Sequence, residues 1–209
     1  MDGCTMGTDS YFVSTLTGKL LRKITKEKGY KELYKLENNT DIEDSLKSII
    51  KELFKELNIA KNQLVLDQKE LLTTLIILLI DKRKNEGIVL VVGDGLVSIN
   101  GIATEFDQDN KPDYLSFHLN EDFETWYSLQ KQKIEFNDIR DISIATDGIF
   151  MFTSVKKVNT TETIDPIDFL LNNNTNEDNE EMLSLKLKRL EHYYGLKPTD
   201  DFAMIRLIK

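Results

Sequence analysis

Cysteine occurs once in the 209 residues, histidine twice, proline three times and tryptophan once. A single thiol, Cys4, excludes an intramolecular disulfide and points to a reducing, cytoplasmic compartment. The histidines, His118 and His192, stand in no CxxC, HxxxH or HExxH context, which removes the usual zinc sites. His192, on a late helical run, reads as a surface or boundary residue. Long hydrophobic runs are also missing. The most apolar window, Leu71 to Ile80, is ten residues long with two threonines, too short to cross a bilayer. No basic segment followed by an apolar core opens the chain, so no secretion signal is read there. Basic residues are outnumbered 27 to 36, a net charge of -9, which argues against partnership with nucleic acid or anionic membrane.

Several chemistries fall with these absences. A thiol phosphatase needs an arginine in the loop of its cysteine, yet Ser10 stands six residues after Cys4. Gly18-Lys19-Leu20 lacks the preceding glycine and the following Ser or Thr of a nucleotide P-loop. No nucleophile elbow supports Ser-His-Asp catalysis.

What is present is patterned. Asp9 and Ser10 are cap candidates before Phe12, Leu16, Leu20 and Ile24, spaced by four, with Gly29 as the expected end of that helix. The polar bridge Glu37-Asn38-Asn39-Thr40 leads to a second helix from Asp41, where Ile42, Leu46, Ile49, Ile50, Leu53 and Leu57 recur near a period of 3.6. Leu75 to Ile80 and Ile88 to Val92 read as a hairpin buried on both faces. Turns at Asp94-Gly95 and Asn100-Gly101 extend it into a four-strand meander through Leu96 to Ile99 and Ile102 to Phe106. Asp107 to Asp113 and Asn159 to Thr163 read as polar loops. Glu121 to Gln130 reads as a short helix and Ile139 to Ala145 as a strand. Ile149 to Phe152 starts a helix, and Asp165-Pro166 opens another with proline in its first turn. Asn172 to Asn179 reads as a mobile polar loop. Met182 to Tyr194 is helical, stopped by Gly195 and Pro198, and Phe202 to Ile208 is a last strand. Helices and strands are segregated, which predicts an α+β fold with antiparallel sheet in a single domain, residues 1–209.

Acidic residues punctuate this order at four points. They are Asp2-Gly3, Gly93-Asp94-Gly95, Thr146-Asp147-Gly148 and Thr199-Asp200-Asp201. Hard divalent cations such as Mg²⁺ or Mn²⁺ take carboxylates, carbonyls and water. Strand ends gather such ligands because neighbouring strands lie about 5 Å apart. The four points are expected to converge on one metal site. Asp-Gly is also a common hairpin turn, so Asp94 taken alone is better explained by a turn. Asp147 is less easily explained that way, because it precedes apolar residues.

Taken in order, these stretches resemble the type-2C (PPM-type) metal-dependent Ser/Thr protein phosphatases over nearly the whole chain. Asp2-Gly3 is similar to the family's first Asp-Gly, and Thr73-Thr74-Leu75-Ile76-Ile77 to its Ser-Thr-Ala strand. Gly93-Asp94-Gly95 resembles its Gly-Asp-Ser turn, Thr146-Asp147-Gly148 its Ser-Asp-Gly motif, and Asp200-Asp201 its closing Asp-Asn. The resemblance implies an antiparallel β-sandwich flanked by helices in four α-β-β-α layers. It implies a phosphoprotein substrate and two or three Mg²⁺ or Mn²⁺ ions. Asp2 would bridge two ions, with the Gly3 carbonyl reaching one through water. Asp147 and Asp200 would hold the other, and Asp94 a third. Water activated by two metals would attack phosphorus in line. The family's upstream strand, with its acidic pair and arginine, has no counterpart in the sequence. A ligand at position 2 would therefore sit on a frayed terminus, and a catalytically inactive, phosphatase-like binding or regulatory domain is the alternative expectation.

Overall fold

The helices follow from apolar spacing and local caps. Helix α2 (Ile42–Leu64) buries Leu46, Ile49, Ile50, Leu53, Phe54 and Leu57 along one face. The Asp41 side chain accepts from the Ile42 amide at its start, and Glu43 and Asp44 in the first turn complement the helix dipole. It stops where Val65 turns left-handed, with φ 54°. Helix α1 (Ser10–Leu33) runs through Gly29 instead of ending there. A glycine costs an exposed helix only about 1 kcal/mol, and nothing crowds this one.

The computed structural model describes residues 1–3, 10–33, 41–108, 111–155 and 162–209. Cys4, the Asp9 cap, the Glu37 to Thr40 bridge, residues 109–110 of the Asp107 to Asp113 loop and residues 159–161 of the Asn159 to Thr163 loop lie outside the described residues. The chain divides into two compact units, one of Met1–Gly93 with Gln108–Asn137, the other of Asp94–Asp107 with Asp138–Lys209.

In the first unit, β1 (Leu75–Asp81), β2 (Glu86–Val92) and β5 (Lys133–Asn137) form an antiparallel sheet in the order β1-β2-β5. The expected hairpin is there, closed by a turn in which Asn85 takes φ 57°. Burial is nearly complete only in the central strand β2, and most of β1 is half-buried. Two short helices, α3 (Leu115–His118) and α4 (Phe123–Ser128), complete the unit. Asp122 caps α4, accepting from the Thr125 amide at 2.9 Å. The α2 face meets Ile88, Leu90, Leu115 and Trp126 in one core, where the Phe54 ring lies 4.6 Å from that of Trp126, centroid to centroid, tilted by 45°.

In the second unit a four-stranded antiparallel sheet runs β4 (Ile102–Phe106), β3 (Gly95–Ile99), β6 (Asp141–Ala145), β9 (Met204–Ile208). A small ladder pairs β7 (Phe152–Ser154) with β8 (Leu196–Pro198). Asn100 and Gly101, at φ 51° and 85°, make the tight β3–β4 turn. Helices α5 (Pro166–Leu171), with proline in its first turn, and α6 (Met182–His192) close over Leu96, Ala145 and Ile149. Gly195, at φ 70°, follows α6 as the expected stop.

All strand pairs among the described residues are antiparallel, so the α+β class with antiparallel sheets holds. The meander does not. Strand β2 pairs with β1 and β5, and β3 with β4 and β6, so Asp94-Gly95 is not a hairpin turn. Gly93, at φ 95°, instead redirects the chain. Ile149 to Phe152 starts no α-helix; a 3₁₀ turn (Asp147–Phe150) leads straight into β7. The last strand begins at Met204; before it, one main-chain bond reaches Ala203 O, and the Ala203 amide and Asp201 O are held by the Thr146 side chain. The first residues of 172–179 are anchored. The fully buried Arg206 side chain donates to Asn173 O at 2.8 Å and Asn174 Oδ1 at 2.6 Å while forming a forked pair with Asp141 at 3.0 and 2.6 Å. Buried Lys186 also donates to Asn173 O. Both cations thus meet carbonyls at and beyond the C-terminal end of α5, where the helix dipole favours positive charge. Burial, then the nearby Arg206, pulls the Lys186 ammonium down to about 8, against the pull of Asp141.

Candidate metal centre

The acidic motifs stand on two separately built frames. In the second unit, β6 and β9 stay in register as far as Ala145 opposite Met204. Thr146, 3% exposed, continues that pairing with both its backbone and its side chain. Its amide donates to Ala203 O at 3.0 Å. Its hydroxyl accepts from the Ala203 amide at 2.9 Å and lies 3.1 Å from Asp201 O. One residue beyond Asp147, Gly148 packs on the same loop so tightly that a Cβ there would lie 2.5 Å from Asp201 O and 2.9 Å from its carbonyl carbon. Thr199 completes the latch, donating to Met151 O through its amide at 2.8 Å and its hydroxyl at 2.9 Å. The loops bearing Asp147 and Asp200 are thereby held side by side. Both aspartates are half-buried, and the Asp201 amide fixes Asp200 Oδ1 at 2.8 Å.

In the first unit the start of the chain is tied down. Gly3 forms a bridge with Thr73. The Asp2 amide donates to Thr74 Oγ1 at 3.1 Å, and Asp2 O accepts from the Thr74 amide at 2.9 Å and the Thr73 hydroxyl at 2.7 Å. Position 2 is therefore a paired position on the lead-in to β1, not a frayed end. Thr74 also abuts Gly93, where a Cβ would fall 2.6 Å from Thr74 Cγ2 and 2.8 Å from Asp113 O. Gln132 holds the Gly93 carbonyl through its side-chain amide at 3.2 Å. Asp113 in turn accepts from the Tyr114 amide and contacts His118 Nε2 at 2.7 Å. Burial works against charge on His118, but the carboxylates of Asp113 and Glu121 outweigh it and raise its pKa. His192, by contrast, is exposed. Asp94, half-buried, is the residue after Gly93 and the first of the second unit.

The structure therefore groups Asp2 and Gly3 with Thr73, Thr74 and Gly93 in one unit, and Asp147 with Asp200 and Asp201 in the other. Among the described residues, no three carboxylate, imidazole or thiolate side chains gather closely enough to cage an ion. A hard divalent cation does not require three. Mg²⁺ commonly keeps several waters and binds through one or two carboxylates. Two half-buried aspartates on latched loops, with a main-chain carbonyl at the join, fit such an ion in donor chemistry. Sequence reasoning named Thr146 only within its motif and Thr74 only within a strand, giving neither a role, and passed over Gln132. A hydroxyl residue directly before an Asp-Gly pair is the signal for Thr146; nothing in the sequence marks Gln132.

The family model described as protein phosphatase 2C matches residues 2–189. No curated protein matches the chain. Among solved structures, the phosphatase domain of the cell fate determinant SpoIIE from Bacillus subtilis, in a crystal form without domain swapping, is 18% identical with a TM-score of 0.39, covering 96% of this chain and 74% of that one. A Mn-presoaked structure of the same domain is 16% identical with a TM-score of 0.35, covering 92% and 71%. No helix among the described residues is long and apolar enough to cross a membrane.

Proposed function

Because the chain belongs to the protein phosphatase 2C family, we propose that it is a cytoplasmic, metal-dependent Ser/Thr phosphatase acting on phosphoproteins, with no nucleic-acid or membrane partner. The observation that carries this reading is the latch joining the Asp147 turn to the Asp200–Asp201 loop. It ties an aspartate inside the matched stretch, residues 2–189, to one just beyond it. Asp147 and Asp200 would hold one ion. Asp2, with the Gly3 carbonyl, would serve a second ion, and Asp94 a third, weaker position. When bound, Mg²⁺ or Mn²⁺ supplies an acidic water as nucleophile and offsets charge on the phosphoryl oxygens.

The chain's own contribution is preorganisation. Thr73 and Thr74 fix the Asp2 backbone, Gly93 and Gln132 set the direction of the chain entering Asp94, and Thr146 with Gly148 sets the spacing of the Asp147 and Asp200 loops. Ligands held this way need little reorganisation when an ion arrives. The test is hydrolysis of a generic aryl phosphate and of a phosphothreonine peptide with and without Mn²⁺, in wild type and Asp147→Asn. Mn²⁺-dependent turnover abolished by the substitution supports the proposal. Turnover that survives both chelation and the substitution contradicts it. No turnover and no Mn²⁺ binding would identify the chain as a non-catalytic, phosphatase-like binding domain.

A further inference from the structure

We propose that the Thr146 hydroxyl is the positioning group that keeps the Asp147 and Asp200 loops at the spacing the cation needs. This rests on the metal-site reading above. Main-chain pairing between β6 and β9 extends past Ala145 and Met204 by only one bond, from the Thr146 amide to Ala203 O. Between Ala203 and Asp200 the further hydrogen bonds to the end of β6 come from the side chain, while Thr199, on the other side of Asp200, is held at Met151 O. A hydroxyl offers one proton and two lone pairs. Here it accepts from the Ala203 amide at 2.9 Å and gives its proton to Asp201 O at 3.1 Å, the nearer of two carbonyls, with Ala203 O at 3.4 Å. One oxygen thus does for two residues what a strand ladder does elsewhere, and the second of those residues adjoins Asp200.

Asp201 and Ala203 are exposed while Thr146 is buried. Without the hydroxyl, water takes over the loop's donor and acceptor, so the loop is released without unfolding the unit. The role also has a signature that packing lacks. Thr146→Val keeps the shape and loses the oxygen, whereas Thr146→Ser keeps the oxygen and loses a methyl. Packing ranks Val above Ser; positioning ranks Ser above Val.

The experiment compares wild type, Thr146→Val and Thr146→Ser by amide hydrogen exchange without metal and by Mn²⁺ calorimetry. In the Val variant, exchange at the Ala203 amide accelerates by about tenfold and Mn²⁺ binds about tenfold more weakly, the worth of one hydrogen bond. The β6–β9 ladder amides exchange as before, and the Ser variant stays near wild type in both readouts. Unchanged exchange at Ala203 in the Val variant, or a Ser variant that falls as far as Val, overturns the clamp. Wild-type Mn²⁺ affinity in a Val variant with a loosened loop overturns the positioning role alone. No Mn²⁺ uptake by wild type overturns the metal reading itself, and the positioning role with it.

Discussion

Adding one methyl at Gly148 tests how tightly the two metal-site loops are packed. In Gly148→Ala the new Cβ would sit 2.5 Å from Asp201 O, 2.9 Å from its carbonyl carbon and 3.2 Å from Phe202 Cα. All three are backbone atoms, so no side chain can rotate out of the way. Ordinary contact begins near 3.4 Å, so the Asp201 carbonyl must retreat by roughly 0.5–0.9 Å and Phe202 Cα by roughly 0.2 Å. Overpacking of this kind costs about 1–3 kcal/mol, which for a chain of this length lowers Tm by roughly 2–4 °C per kcal/mol. The larger effect falls on function. A misplacement near 1 Å can cost about 100-fold in rate, and Asp200 immediately precedes the displaced residue. The assay pairs thermal unfolding with Mn²⁺-dependent turnover of an aryl phosphate. A variant that loses a few degrees but tens of fold in kcat/KM is expected. An Ala variant with wild-type Tm, Mn²⁺ affinity and turnover would refute the close approach and the reasoning built on it.

Other substitutions probe the frame. Arg206→Ala strands Asp141 and removes the donors to Asn173 and Asn174, so chemical denaturation should show a loss near 3 kcal/mol, the low end for a broken buried pair because Asp141 is partly solvated; adding Asp141→Asn should recover part of it. Lys186, held near 8 when folded, binds fewer protons than in the unfolded chain between pH 8 and its ordinary 10.5. Its depressed value destabilises the fold at lower pH, and stability rises through that window; the difference in unfolding free energy between pH 7.5 and 10 should therefore shrink in Lys186→Met. Gly93→Ala places a Cβ at φ 95° against Thr74 and Asp113 O, and should cost about 1–3 kcal/mol in the same denaturation assay.

Much of the fold was legible because its signals are local. The period of Leu46, Ile49, Ile50, Leu53 and Leu57, the Asp41 cap, Asp165-Pro166 and the Asn100-Gly101 turn each declare themselves within a few residues. What was hidden depends on distant partners. Lys133–Asn137 is left unassigned by sequence alone; its Ile134 and Phe136 alternate with polar neighbours over only five residues, and it is the pairing to β2 that makes it a strand. Val92 and Leu96 look like consecutive hairpin strands, and only the turn at Gly93 sends them to different sheets. Arg206 gives no hint in sequence that it anchors Asn173 and Asn174, which on composition alone suggested mobility. In the candidate site, Asp2, Asp94 and Asp147 stand out in the sequence by the glycine after each, and Asp200 by the aspartate beside it. The hydroxyls of Thr74 and Thr146 do not, because their bonds reach residues 72 and 55 positions away.

The most direct measurement is the initial rate of aryl phosphate hydrolysis against Mn²⁺ concentration for wild type and Asp147→Asn. Saturable, Mn²⁺-dependent turnover in wild type, with loss of about 100-fold or more in the variant, is the predicted result. Equal rates in the two proteins, unaffected by chelation, would contradict it.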